Sequence, residues 1–257
     1  MALSRLIVNA DDFGYSEAVN RDVLMSFDYS LVNSTSLMAN MPGFDHAIGL
    51  FHQYDHLRQK VGLHLNLTEG APLTRGMLAC PVFCGESGHF RYDRGRSLFR
   101  LGRREREAVY EEFKAQLERA LAAGVRPTHL DSHHHIHTEW AIAPLVCRLA
   151  RVYGVPRVRL TRNMGLVAGL PTRLYKKVFN RWWLGSRSGL VNTDYFGDVA
   201  DMMTYLAGGR QPDERLSFEI MVHPLLDERG RLVDLDRKDL QQELLPVLRL
   251  AAVGPAA

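Results

Sequence analysis

Cysteine is scarce in this chain: Cys80, Cys84 and Cys147 are the only three in 257 residues. Three thiols cannot close a disulfide framework, and so few of them suit a reducing compartment. Long apolar runs are lacking too. No stretch approaches the roughly 20 residues that a membrane-crossing helix needs. The apolar part of Met1 to Asp12 is too short for a secretion signal and lacks its cleavage pattern. The sequons Asn33-Ser-Thr and Asn66-Leu-Thr then have no route to glycosylation, and a cytoplasmic protein is expected. Excess charge is missing as well. The 32 basic and 29 acidic residues leave a net +3, too mild to argue for nucleic acid as a partner. No repeat, low-complexity tract or Pro/Gly-rich linker divides the chain, so residues 1–257 read as a single domain. With 46% apolar and 9% aromatic residues, disorder is excluded, and the length is enough for one large core.

What is present is an alternation of short apolar runs with longer helix-like segments. Strands are predicted at Arg5–Asp12, Ser34–Asn40, Val61–Leu67, Thr128–His133, Arg157–Thr161 and Ser217–His223. Helices are predicted at Glu17–Tyr29, Phe44–Tyr54, Arg104–Ala123, Ala141–Tyr153, Pro171–Trp183 and Arg237–Leu250. An irregular insertion over about 68–102 interrupts the pattern, and a loop that long is usually functional, often a lid. Repeated β-then-α units with buried strands imply a parallel sheet covered by helices. The expected fold is therefore α/β: a distorted (β/α) barrel with parallel strands and outer helices. The glycine-rich phosphate fingerprint of a flat doubly wound sheet is missing.

Side chains alternate across a strand, and that parity locates the chemistry. In the run from Gly62 to Thr68 the leucines take one face, so His64 and Asn66 point into the barrel. His129, Asp131 and His133 share a parity on the next strand. Glu219 and His223 do so on the last, and Arg159 repeats the pattern between Val158 and Leu160. Burying so many polar groups without a role would cost several kcal/mol, and a barrel's active site lies at the C-terminal ends of its strands. Five of the eleven histidines fall between 129 and 137. Two imidazoles and a carboxylate with an open position form the usual ligand set of a hydrolytic metal, with spare histidines and carboxylates left to orient the ligands. Asp11 and Asp12 can reach one site only where the strand ends and the backbone turns, which Phe13-Gly14 permits. The plainer alternative is one catalytic and one helix-capping aspartate.

Four segments carry a resemblance: Asn9-Ala-Asp-Asp-Phe-Gly14, Gly62-Leu-His-Leu-Asn-Leu-Thr68, Thr128-His-Leu-Asp-Ser-His-His-His-Ile-His137 and Glu219-Ile-Met-Val-His-Pro224. In content and order they resemble the signature blocks of the YdjC-type carbohydrate deacetylases, the family of chitooligosaccharide deacetylase. The resemblance implies a distorted (β/α) barrel that removes N-acetyl groups from amino sugars, releasing acetate, with one divalent metal ion, Mg²⁺ or Zn²⁺. It implies that Asp12, His64 and His133 hold the metal and that Asp11 is the general base, as in the more distant NodB-type polysaccharide deacetylases. His223 would be the general acid. Arg159 would keep Asp11 ionised, His129, Asp131, His137 and Glu219 would surround the ligands, Asn66 would meet the sugar, and Trp140 would either stack on a sugar face or pack at a helix start. No family block matches 77–106 or 164–215, where substrate choice is expected to reside.

Rival readings differ in what they leave unused. A glycoside hydrolase needs two carboxyls facing each other across the sugar bond at about 5–10 Å, which the neighbours Asp11 and Asp12 do not supply. An Fe(II) oxygenase could claim His129, Asp131 and a distal histidine, but the α/β alternation speaks against it. A non-catalytic metal-binding protein leaves Asp11, Arg159 and Glu219 idle. Two basic stretches remain. Arg91, Arg94, Arg96, Arg100, Arg103, Arg104 and Arg106 read as a solvated loop leading into a helix or, less ordinarily, as a site for an anionic ligand or membrane surface. Residues 173–183 mix Arg173, Lys176, Lys177 and Arg181 with Leu174, Val178, Trp182 and Trp183. That is the pattern of an outer barrel helix or, less ordinarily, of a helix lying on an anionic membrane. The expected partner is an N-acetylated sugar, with a homodimer left open.

Overall fold

The apolar runs become the strands of one parallel sheet. In the computed structural model, which describes residues 5–91, 100–165, 169–185, 189–208, 215–236 and 238–252, the sheet contains β1 (Leu6–Phe13), β2 (Ser34–Leu37), β3 (Val61–Leu65), β4 (Leu130–Ser132), β5 (Tyr195–Gly197) and β6 (Phe218–Val222). Their order is β4-β3-β2-β1-β6-β5, and every pairing is parallel. Because strands buried on both faces must be crossed over by helices, α1 (Glu17–Asp28), α2 (Phe44–Gln53), α4 (Arg103–Ala122), α5 (Ala143–Tyr153), α6 (Leu170–Phe179), α7 (Val199–Ala207) and α8 (Leu240–Ala252) surround the sheet. A single turn, α3 (Arg75–Leu78), precedes α4.

Local chemistry sets the ends of these elements. The Ser16 hydroxyl accepts from the Val19 amide to cap α1, Pro144 opens α5 and Gly154, at φ +69°, closes it, each in the position its backbone favours. Val8, Ala10, Leu37, Leu63, Leu65, Ile220 and Val222 are fully buried in the core between sheet and helices.

The predicted strand at 157–161 is a linking stretch instead of a full ladder. It makes one bridge from Val158 to Leu130 on β4 and another from Arg157 to Val191. Further along it, the amides of Asn163 and Met164 donate to the Phe196 carbonyl on β5. One segment thus contacts both edge strands and curls the sheet into a distorted half-barrel. β5 and α7 were not predicted. A three-residue strand is too short to show a period, and Asp198, which caps α7 by accepting from the Asp201 amide, reads as loop. A small antiparallel pair, β7 (Leu225–Leu226) with β8 (Leu232–Val233), follows the last barrel strand. All three cysteines are free and buried.

Candidate metal centre and active site

Strand β1 delivers two adjacent carboxylates because its end is not extended. Asp12 has φ +68°, a left-handed backbone that costs a non-glycine residue energy, though aspartate tolerates it better than most. Gly14 follows at φ +96°, and a Cβ there would come within 2.7 Å of the Met38 carbonyl oxygen. The register against β2 slips between Ala10 and Phe13. Asp11 and Asp12 consequently line the same open cavity of about 810 Å³, together with Tyr15, His64, Glu69, His133 and His223.

Asp12 Oδ1 lies 2.9 Å from His133 Nδ1 and 3.2 Å from His64 Nε2. One ligand atom from each of the three residues falls within 4.8 Å of the others. His64 Nδ1 pairs with Asp131 Oδ1 at 2.8 Å, and Asp131 Oδ2 accepts from the Ser36 hydroxyl at 2.9 Å. With the Nδ1 proton given to Asp131, His64 turns a lone pair toward Asp12 Oδ1. Two acceptors 3.2 Å apart require a proton or a cation between them. Burial disfavours a charged His64, but the Asp131 charge and the bonds to Asp12 and Asp131 outweigh it and raise the imidazole to about 10. Asp12 moves the other way. Burial works to raise it, yet the bonds from His133 and His64 hold it well below the usual carboxylate range. The residues fit a divalent cation: a carboxylate and two imidazoles, one of them backed by an outer carboxylate as metal-ligating histidines are.

Behind this group stands a buried ionic lattice centred on Arg159. Its Nη1 and Nη2 donate to the two oxygens of Asp11, both at 2.7 Å. Its Nε donates to Glu219 at 2.7 Å, and Nη2 also lies 2.9 Å from Asp131. Arg157 completes the Glu219 pair at 2.9 Å, and Asn9 Nδ2 donates to Asp11 at 2.8 Å. Burial opposes the Arg159 charge, but the three carboxylates raise its basicity well above the ordinary value.

On another wall, the His223 amide donates to Asp234 Oδ1 at 3.0 Å, and its ring Nδ1 lies 3.4 Å from the same oxygen. Burial would lower His223. The bond to Asp234 and the charges of Asp11 and Asp12 overcome that and raise it above the usual histidine value.

Asn66, Trp140, His129 and His137, also named from the sequence, do not line this cavity. Asn66 sits past the end of β3, fully buried, where its amide donates to Asn40 and to the Glu69 carbonyl and its oxygen accepts from Thr68 and Glu69. The strand ends at Leu65, so parity no longer governs it, and it shapes the 66–69 turn instead of lining the cavity. Trp140 is carried outward by the 3₁₀ turn His133–Thr138 and packs edge-on against Phe179 and Trp183, at 5.2 and 6.0 Å between centroids. It borders a separate basic cavity that also includes Arg100, Arg103, Arg106 and Arg148. Arg94 and Arg96 lie outside the described residues. His129 packs over Gly62, where any Cβ would overlap the ring. Burial and then the Arg157 charge depress its basicity far below the usual value. His137 Nδ1 pairs with the Ser132 hydroxyl, which ties the turn and not a ligand.

Three polar residues beside the ligand group and His223 were not anticipated. The Tyr15 hydroxyl donates to Glu69 at 2.8 Å, Glu69 Oε1 stands 3.4 Å from His133 Nε2, and Asp234 arrives on the loop after β8. Glu69 directly follows the Gly62–Thr68 segment, an available signal. Asp234 had none, since only the β7–β8 pair brings it back to His223.

The YdjC-like protein family model matches residues 5–247. The chain belongs to the YdjC-like family. A carbohydrate deacetylase of Halalkalibacterium halodurans is 42% identical over 220 residues, covering 86% of this chain and 84% of that protein. One from Brevibacillus brevis is 44% identical over 152 residues, covering 59% of this chain and 58% of that protein. Among solved structures, an Enterococcus faecalis protein described as a candidate cellobiose-phosphate cleavage protein superposes with a TM-score of 0.71. It is 23% identical, with 98% of this chain and 95% of that one covered. At that identity the likeness speaks for the fold alone.

Proposed function

We propose that this YdjC-like chain is a metal-dependent carbohydrate deacetylase that hydrolyses the N-acetyl group of an acetamido sugar to acetate and a free amine. The observation that carries the reading is the convergence of Asp12, His64 and His133 within 4.8 Å in a cavity whose walls also bear Asp11 and His223. Asp12, His64 and His133 would hold one divalent cation, which supplies Lewis acidity for water and for an amide carbonyl.

The remaining work falls to the protein's own groups. Asp11, fixed by Arg159 and Asn9, takes a proton from water as the water oxygen bonds to the acetyl carbon. His223 has Nδ1 against Asp234, which leaves Nε2 to hand a proton to the amide nitrogen. The C–N bond then breaks, the carbonyl is restored as acetate and the sugar leaves as the amine. Such positioned proton transfers contribute typically 10²–10⁴-fold each. Acetate release from a panel of N-acetylated saccharides, with and without chelator, tests the reading. Chelator-sensitive acetate release is expected, and glycosidic cleavage with no acetate would refute it.

A further inference from the structure

Helix α6 and the π turn Asn180–Leu184 that prolongs it carry more apolar surface than their packing uses. Phe179, Asn180 and Leu184 face inward and are buried, and the Cys147 thiol meets the Trp183 carbonyl at 3.0 Å. A helix on the outside of a barrel ordinarily turns polar residues to the opposite side. Here that side exposes Leu174 (61%), Tyr175 (44%), Val178 (43%) and Trp182 (56%). Positions 174, 178 and 182 recur every four residues and so form one stripe. Arg173, Lys177 and Arg181 are exposed on the same helical segment. Residues 163–193 include five basic residues and no acidic one, in a chain whose whole net charge is +3.

A small anion would need the basic residues but not the stripe. An apolar protein groove would need the stripe but gain nothing from one-signed charge. A bilayer with anionic headgroups uses both, taking the apolar face into the headgroup–acyl boundary while the cations meet phosphate. We propose that this face docks the protein peripherally on an anionic phospholipid bilayer. The contact lies on the membrane and does not cross it, since no helix among the described residues is long and apolar enough to span. α6 also follows the linking stretch that brings Arg159 into the active site, so the docking element and a site element are successive segments of the chain.

Flotation of the full chain with vesicles of phosphatidylcholine alone, or of phosphatidylcholine enriched in phosphatidylglycerol, tests this. The wild type floats with the anionic vesicles at low salt and not with the neutral ones. Two triple variants, Leu174→Ser/Val178→Ser/Trp182→Ser and Arg173→Glu/Lys177→Glu/Arg181→Glu, each reduce the bound fraction at least about tenfold, with folding checked by thermal melting. Sedimentation of the same samples examines the rival occupant, a second copy of the chain. No flotation with anionic vesicles, equal flotation with neutral ones, or wild-type flotation of the charge variant overturns the proposal. So does a dimer dissolved by the serine variant without any flotation. Flotation needs no catalysis, so its outcome is separate from that of the acetate assay.

Discussion

Asp11 and Arg159 stand 148 positions apart in the chain and meet in a two-pronged pair, both bonds 2.7 Å long. Neither is more than 2% exposed. Arg159 also serves Asp131 and Glu219, so one guanidinium joins the carboxylate beside the cavity, the carboxylate behind His64 and an anchor on β6. Its planar fork matches bidentate carboxylates in a way that a lysine cannot.

Removing that fork strands buried negative charge. Arg159→Met is expected to destabilise the fold by about 3–5 kcal/mol, the cost of breaking a buried ion pair from one side. Urea unfolding measures it, and a shift below about 1 kcal/mol would show that the lattice is solvated.

Asp11→Asn keeps the proposed ligand group Asp12, His64 and His133 intact but removes the proposed base. Bound metal should match wild type while kcat falls about 10²–10⁴-fold. Unimpaired acetate release by this variant would remove Asp11 from the mechanism.

Asp234→Asn tests the acid. Burial lowers His223, while Asp234, Asp11 and Asp12 together raise it above its ordinary value, so the protonated ring persists to higher pH than a free histidine's would. Without the Asp234 charge the ring loses its proton earlier. The alkaline limb of the kcat/KM profile should therefore move to lower pH. A limb that stays in place would mean that His223 is not the group that must remain protonated.

Gly62→Ala probes the layer behind the site. Its Cβ would overlap the ring of His129, which is fully buried and cannot swing into solvent. Overpacking of this kind costs about 1–3 kcal/mol. At about 2–4 °C per kcal/mol for a chain near this size, the melting temperature should drop by several degrees. An unchanged melt would place the ring elsewhere.

Legibility in the sequence followed length and regularity. The parallel α/β architecture could be read because β1, β3 and β6 are long enough for parity to show, and His64 and Glu219 are directed as that parity requires. It failed where backbone departs from a strand. Asn66 lies past the end of β3, and Trp140 follows a 3₁₀ turn with His134 and His135 at positive φ. Stretch 157–161 gives single bridges because it must reach from β4 toward β5. Glu69 reaches the cavity, and Asp234 reaches His223, through tertiary contacts that no local period encodes. The pairing of Asp11 with Asp12 was foreseeable only as a requirement for a turn, which the left-handed Asp12 meets.

Asp12, His64 and His133 are proposed to hold one divalent cation. Elemental analysis of the purified chain beside folded His64→Ala and His133→Ala tests it most directly. One ion per wild-type chain, absent from both variants together with acetate release, is the predicted result. Metal content unchanged in either variant, or full activity after exhaustive chelation, would contradict it.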